Sequence, residues 1–212
     1  MKRFLFHSAK VVLAITLTGM LVVLIGCVRQ SGGVWYFHEA KRPVGWPDLT
    51  PVDEVQIKQY PAYREAIVQS NAAQSNQGSM FRTLFKHIQQ NDISMTAPVD
   101  MTFQASSDKL EMKSMAFLYD EPQRGPVTDD GNVTVLDVPA TKVASIGVRG
   151  SYSDERFDAA LKQLNTWLAS GDEYEAAGAP RYLGYNSPFV PFFWRYGEVQ
   201  IPVKAHRVDG SE

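Results

Sequence analysis

ISMTAPVDMTF, residues 93–103, decides how the rest of the chain is read. Met95, Ala97, Val99, Met101 and Phe103 alternate with Thr96, Pro98, Asp100 and Thr102, the period of a strand with one buried face. Pro98 has no N–H to give to a ladder, so it belongs at the strand's first, unpaired position rather than in its middle. Upstream, GSMFRTLFKHIQQND (78–92) has helical spacing, with Met80, Phe81, Leu84, Phe85 and Ile88 in one apolar stripe. Ser79 is the expected N-cap and Asn91-Asp92 the expected stop. The segment therefore reads as helix, proline-marked junction and strand, with Met95 packed beneath the helix and Thr96 bonding locally.

Strand patterns flank this unit. VQIKQY (55–60) and YREAIVQ (63–69), split by Pro61, precede the helix, and LEMKSMAFLY (110–119) follows the strand. After the turn-rich RGPVTDDGN (124–132), the order returns: VTVLDVP (133–139), TKVASIGVRG (141–150), a helix, then RYLGYN (181–186) and GEVQIPVKA (197–205). The second helix, SDERFDAALKQLNTWLASG (153–171), has Ser153 as N-cap, Asp154 and Glu155 in its first turn and Gly171 as its stop. Phe157, Leu161, Leu164 and Leu168 form its buried face. Two similar halves predict an α+β fold, helices packed on a largely antiparallel sheet or open barrel. Residues 28–50 show no sustained period and read as a tether and irregular lead-in.

The N-terminus carries a different signal. Lys2, Arg3 and Lys10 precede a charge-free run from Val11 to Ile25, too short for a membrane span of about 20 residues but suited to a signal peptide. Leu24-Ile25-Gly26-Cys27 resembles the bacterial lipoprotein box, which implies lipidation of Cys27 and removal of residues 1–26. Cleavage removes Lys2, Arg3 and Lys10 and takes the formal charge from −2 to −5, which gives no pull toward nucleic acid. Cys27 is the only cysteine, so the chain forms no internal disulfide and no cysteine metal site. Val28 carries no acidic retention signal, so the anchor is expected on the outer membrane of a two-membrane envelope, facing the periplasm.

No nucleophile elbow, phosphate-cradling glycine loop or metal-spaced histidine pair occurs, so an enzyme is not expected. The feature that stands out is SPFVPFFW (187–194), with Phe189, Phe192, Phe193 and Trp194 between and beside prolines. A loop this apolar is covered by its own domain, a ligand, a partner or a membrane.

Together these strings resemble the SOUL haem-binding protein family. The resemblance runs over about residues 52–204: YPAYREAIV, MFRTLFKHIQQND followed by ISMTAPV, IGVRGSYSDERFDAALKQLNTWL, and YLGYNSPFVPFFWRYGEVQIPV. It implies a distorted antiparallel β-barrel of two pseudo-symmetric halves with two flanking helices, in a domain of residues 52–205 between a 27–51 lead-in and a 206–212 tail. It also implies non-covalent binding of haem or another tetrapyrrole in an apolar cleft between the first helix and the late loop. Carried onto this chain, the cleft has Phe81, Leu84 and Phe85 on one wall and Phe189, Phe192 and Phe193 on the other. Lys86 stands where the family has a basic helix residue able to meet a propionate, with Arg82 one turn earlier as a helper; such a charged pair in partial burial is worth roughly 1–3 kcal/mol.

The chain departs from the family at two places. Some members have a histidine before the first strand's tyrosine; here Gln59 precedes Tyr60, and His87 is left as the candidate iron ligand. Gly197 replaces the asparagine of the terminal motif. Axial ligation is therefore expected to be weak or absent. The other readings are a module that binds an apolar peptide or lipid, and a small-molecule-binding or hydrolytic protein on the related GyrI-like scaffold.

Overall fold

The computed structural model describes residues 27–71, 76–106, 109–129 and 131–206; the signal peptide expected over 1–26 and the tail beyond 206 lie outside them. In chain order the elements are β1 (Val28–Ser31), β2 (Val34–Phe37), β3 (Val55–Tyr60), β4 (Tyr63–Gln69), α1 (Gln77–Gln90), β5 (Val99–Ser106), β6 (Lys109–Leu118) and β7 (Thr128–Asp129). There follow β8 (Thr134–Val138), β9 (Thr141–Arg149), α2 (Asp154–Ser170), β10 (Tyr174–Ala176), β11 (Arg181–Gly184), a short 3-10 turn at Phe192–Trp194, and β12 (Tyr196–Ala205).

The quoted stretch behaves as its pattern requires. β5 begins at Val99, directly after a cis Ala97–Pro98 bond. Met101 and Phe103 face the helix-covered core, while Asp100 and Thr102 point to the opposite face and line a cavity. Met95 packs against the core cluster that holds Met80, Leu84 and Ile88. Thr96 does not bond locally: its hydroxyl donates to the Leu118 carbonyl at 2.5 Å, tying the junction to the end of β6. The N-cap of α1 is Asn76 rather than Ser79; the Asn76 carboxamide oxygen accepts from the Ser79 amide at 2.9 Å, and the helix starts three residues earlier than its apolar stripe. The cap and stop of α2 fall where expected, with the Ser153 hydroxyl accepting from the Arg156 amide and Gly171 as C-cap.

Among the described residues, the main sheet has ten strands in the order β3-β9-β12-β11-β5-β6-β4-β8-β7, with β10 beside β12, and every strand pair is antiparallel. The order is symmetric about the β11–β5 seam: β3-β9-β12-β11 on one side mirrors β8-β4-β6-β5 on the other. The helices follow the same symmetry, α1 packing on β4 and β6 and α2 on β9 and β12. Two β-α-β-β halves are thus real in the topology. Among the described residues hydrogen bonds do not close the expected distorted barrel, and the path ends at β3 and β7, which leaves the sheet open. The register explains the gap: Tyr60 faces Thr141 and Tyr63 faces Val138, so one pairing continues across Pro61-Ala62 and Pro139-Ala140. Proline on each side removes the N–H groups that would join the ladder there.

Residues 28–37 form a hairpin, whereas 38–50 carry no helix or strand beyond an isolated bridge at Lys41, as an irregular lead-in would. Gly32 and Gly33 take φ of 56° and 81°, the left-handed pair of a two-residue hairpin turn, and set Val28 opposite Phe37. Val34, Tyr36, Trp46 and Leu49 are buried in a second core cluster with Tyr60, Tyr63, Leu183 and Tyr196.

Candidate functional site

The predicted cleft residues fall into two apolar patches. On α1, Phe81 and Phe85 are 38% and 40% exposed and stack along the helix, centroids 6.1 Å apart and planes 13° apart. Phe81 also meets the Phe117 ring edge-on at 5.0 Å, which holds the strip against the sheet. Arg82 and Lys86 flank it and are exposed. Leu84 is not a wall of this surface. It is fully buried, because Met80, Leu84 and Ile88 recur every four residues on the core stripe and the phenylalanines are turned one residue, about 100°, from it. His87 is half-buried, and its Nε2 shares a 3.0 Å hydrogen bond with Tyr119 Oη.

The second patch is the 187–194 loop. Phe189, Phe192 and Phe193 are 94%, 63% and 57% exposed. Phe192 and Phe193 meet edge-to-face, and among the described residues no ring contact joins them to Phe81 or Phe85. The loop is tied instead to the N-terminal hairpin: Asn186 Nδ2 donates to the Phe37 carbonyl at 2.6 Å, and Arg149 donates to the carbonyls of both Trp35 and Trp194.

The other face of the sheet holds a feature that sequence reading missed. A cavity of about 560 Å³ is lined by Tyr63, Glu65, Asp100, Ser114 and Arg181 among others, and reaches the broken pairing at Pro139-Ala140. Across the seam between the halves, Arg181 Nη1 donates to Asp100 Oδ2 at 2.8 Å and to Tyr63 Oη at 3.0 Å, and Arg181 Nε donates to Gln200 Oε1. Asp100 Oδ1 and Arg181 Nη2 are buried with no hydrogen-bond partner among the described residues. Burial and the neighbouring Asp100 charge push the Glu65 carboxyl up to about 8, with Arg181 opposing. Burial likewise lifts Asp100 against the pull of Arg181. The only sequence signal was the polar member of each alternation: Glu65 in YREAIVQ and Asp100 in PVDMTF occupy the face opposite the core.

Deeper on that face lies a saturated carboxylate. Glu198 Oε1 accepts from Lys58 Nζ, the Thr50 amide and Tyr196 Oη, and Oε2 accepts from Gln200 Nε2, Ser145 Oγ and Tyr60 Oη. Burial raises the Glu198 carboxyl, but Lys58 and these donors outweigh it and hold it below its ordinary value. With both oxygens engaged, Glu198 is structural rather than reactive. No group of three or more His, Cys, Asp or Glu side chains among the described residues is placed to hold a metal ion.

In sequence, residues 48–202 match the SOUL heme-binding protein family. The chain belongs to that family. The family is one of heme-binding proteins, not typically enzymes, and it points to a tetrapyrrole ligand. Among curated proteins none matches the chain. In solved structures the SOUL domain is similar to EcmrR in the EcmrR–DNA complex, at 16% identity and a TM-score of 0.55, covering 71% of this chain and 57% of that longer one. It is also similar to the EcmrR C-terminal domain (17% identity, TM-score 0.51, 71% and 97% covered) and to a hydrolase from Listeria innocua (7% identity, TM-score 0.53, 73% and 94% covered). At these identities the likeness is one of fold alone.

Proposed function

We propose that this SOUL protein binds haem or a related tetrapyrrole on the exposed face of α1 and acts as a buffer or carrier, held in the cell envelope by a lipid on Cys27. The observation that carries this reading is the stacked, exposed Phe81–Phe85 strip, a flat apolar surface flanked by Arg82 and Lys86. The residues fit the group: the rings offer an apolar bed, and the flanking cations suit propionates. His87 is near the strip in sequence, but Tyr119 engages its Nε2, and Gln59 is a poor iron ligand, so affinity rests on apolar contact more than on ligation. Haem titration of the chain tests the reading. A saturable one-to-one Soret shift lost in Phe85→Asp supports it; binding no tighter than that of an unrelated protein with an apolar patch defeats it.

A second reading has its own observation. The cavity beside Asp100 and Arg181 has an acceptor oxygen and a donor nitrogen without partners, and its size suits a small molecule. A compact polar ligand with a donor beside an acceptor, as in an amide, fits those two atoms. Binding there is lost in Arg181→Met and indifferent to Phe85→Asp, which separates it from the surface site.

A further inference from the structure

The aromatic loop makes no ring contact with the Phe81–Phe85 strip among the described residues, so its exposure stands apart from the tetrapyrrole reading. Phe189, Phe192, Phe193, Trp35 and Trp194 are 94%, 63%, 57%, 56% and 36% exposed. Exposed apolar clusters of this kind mark a covered surface, and aromatic side chains favour the boundary between water and lipid. The loop is held in shape by its own polar contacts rather than by the rings. The Arg195 guanidinium donates to the Val190 and Pro188 carbonyls and to Ser151 Oγ, the Trp194 amide donates to the Pro191 carbonyl, and the Trp35 and Trp194 carbonyls share Arg149. The rings are therefore presented outward by a braced scaffold instead of collapsing onto the sheet.

Where the patch sits identifies its occupant. The β1–β2 hairpin starts immediately after Cys27, whose carbonyl accepts from the His38 amide at 2.6 Å. The next carbonyl back along β2, that of Phe37, accepts from Asn186 at the head of the aromatic loop. Two hydrogen bonds and one hairpin end thus connect the loop to the point where the chain continues into the charge-free residues Val11–Ile25. A protein tethered at Cys27 brings this edge to the membrane before any other. Arg149 and Arg195 are engaged with carbonyls within this edge and Glu39 with Ser187, so the aromatic rings are what the edge offers a membrane, and a zwitterionic bilayer isolates their contribution.

We propose that the 188–194 loop and Trp35 form the face by which the protein lies on a lipid bilayer, their rings seated in the interfacial region of a zwitterionic membrane. The inference deepens the envelope reading above and rests on it for the tether. Among the described residues no ring contact joins this patch to the Phe81–Phe85 strip on α1.

The test is tryptophan fluorescence of the full-length chain in phosphatidylcholine vesicles with and without brominated acyl chains. Bromine-dependent quenching is expected in the native chain, to fall at least twofold in Phe189→Ser/Phe192→Ser/Phe193→Ser, and to be largely abolished in Trp35→Phe/Trp194→Phe, which leaves buried Trp46 and the α2 residue Trp167 as reporters. Near-native circular dichroism of each variant confirms that it folds. Unchanged quenching in the triple serine variant, or quenching that survives in the tryptophan double variant, overturns the proposal. So does a stable dimer that the triple variant dissociates without any lipid quenching, since the patch then meets a second copy. Labelled palmitate on the native chain and on Cys27→Ser reads the tether separately. Label without patch-dependent quenching sinks the face alone; patch-dependent quenching without label sinks the lipid anchor alone.

Discussion

The Lys58 ammonium lies 2.9 Å from the Glu198 carboxylate, and their side chains are only 5% and 0% exposed. The pair joins the edge strand β3 to β12 across β9, under a roof made by Thr50 and Tyr196. Breaking such a pair from one side leaves an uncompensated buried charge. Lys58→Met alone or Glu198→Gln alone is expected to cost about 3–5 kcal/mol, while Lys58→Met with Glu198→Leu recovers much of the loss. Urea unfolding midpoints of the three variants measure this; additive losses in the double variant contradict the coupling.

Glu65 sets a pH dependence. Its folded-state value near 8 lies above that of the unfolded chain, so its stabilising contribution is complete below the ordinary glutamate range and is lost as pH rises toward 8. Between those limits the folded state keeps a proton that the unfolded state has released. Stability should fall with pH by up to about 1.4 kcal/mol per unit from this group. Glu65→Gln should flatten the slope; denaturation at a series of pH values compares the two.

Gly197 is required by its neighbour. A Cβ at that position runs into the Tyr182 ring and hydroxyl, which lie across β12. Gly197→Ala is expected to destabilise by about 1–3 kcal/mol through overpacking. Tyr182→Leu should relieve most of that loss, and thermal unfolding of the single and double variants checks it.

Arg82 and Lys86 should matter less to tetrapyrrole binding than partial burial would have made them matter. Both are exposed, and an ion pair in that setting contributes under about 1 kcal/mol, a factor of a few in affinity. Arg82→Ala and Lys86→Ala should therefore weaken haem binding only a few-fold each, and less so at high salt, whereas Phe85→Asp should abolish the saturable Soret shift. Titrations at two ionic strengths distinguish the charge contribution from the apolar one.

How much of this was legible beforehand depended on range. The strands at 55–60 and 63–69 and the second helix with its Ser153 cap were readable because period and caps are local. The Gly32-Gly33 hairpin is equally local, a two-glycine turn between short apolar-containing segments, but strands of four residues each are too short to show a sustained period. Asn76 as the α1 cap precedes the apolar stripe by enough that the stripe does not point to it. The resemblance implies Leu84 as a cleft residue, and the stripe alone does not say otherwise; packing of α1 against β4 and β6 divides the stripe into a buried row that holds Leu84 and an exposed one.

The sequence by itself determined the class of fold, the order of its elements and the family, because hydrophobic period, capping residues and the Met-Thr-Ala-Pro-Val junction are properties of neighbours along the chain. The tertiary structure alone decided that Thr96 bonds to Leu118, that Asp100 meets Arg181 across the seam of the two halves, and that the aromatic loop lies beside the hairpin at Cys27. Each of these contacts joins residues far apart in the chain, and its partner is selected by strand order and register. The sheet also stays open for a reason that needs the fold: Pro61 and Pro139 fall opposite each other's segments only once β3–β4 and β9–β8 are paired.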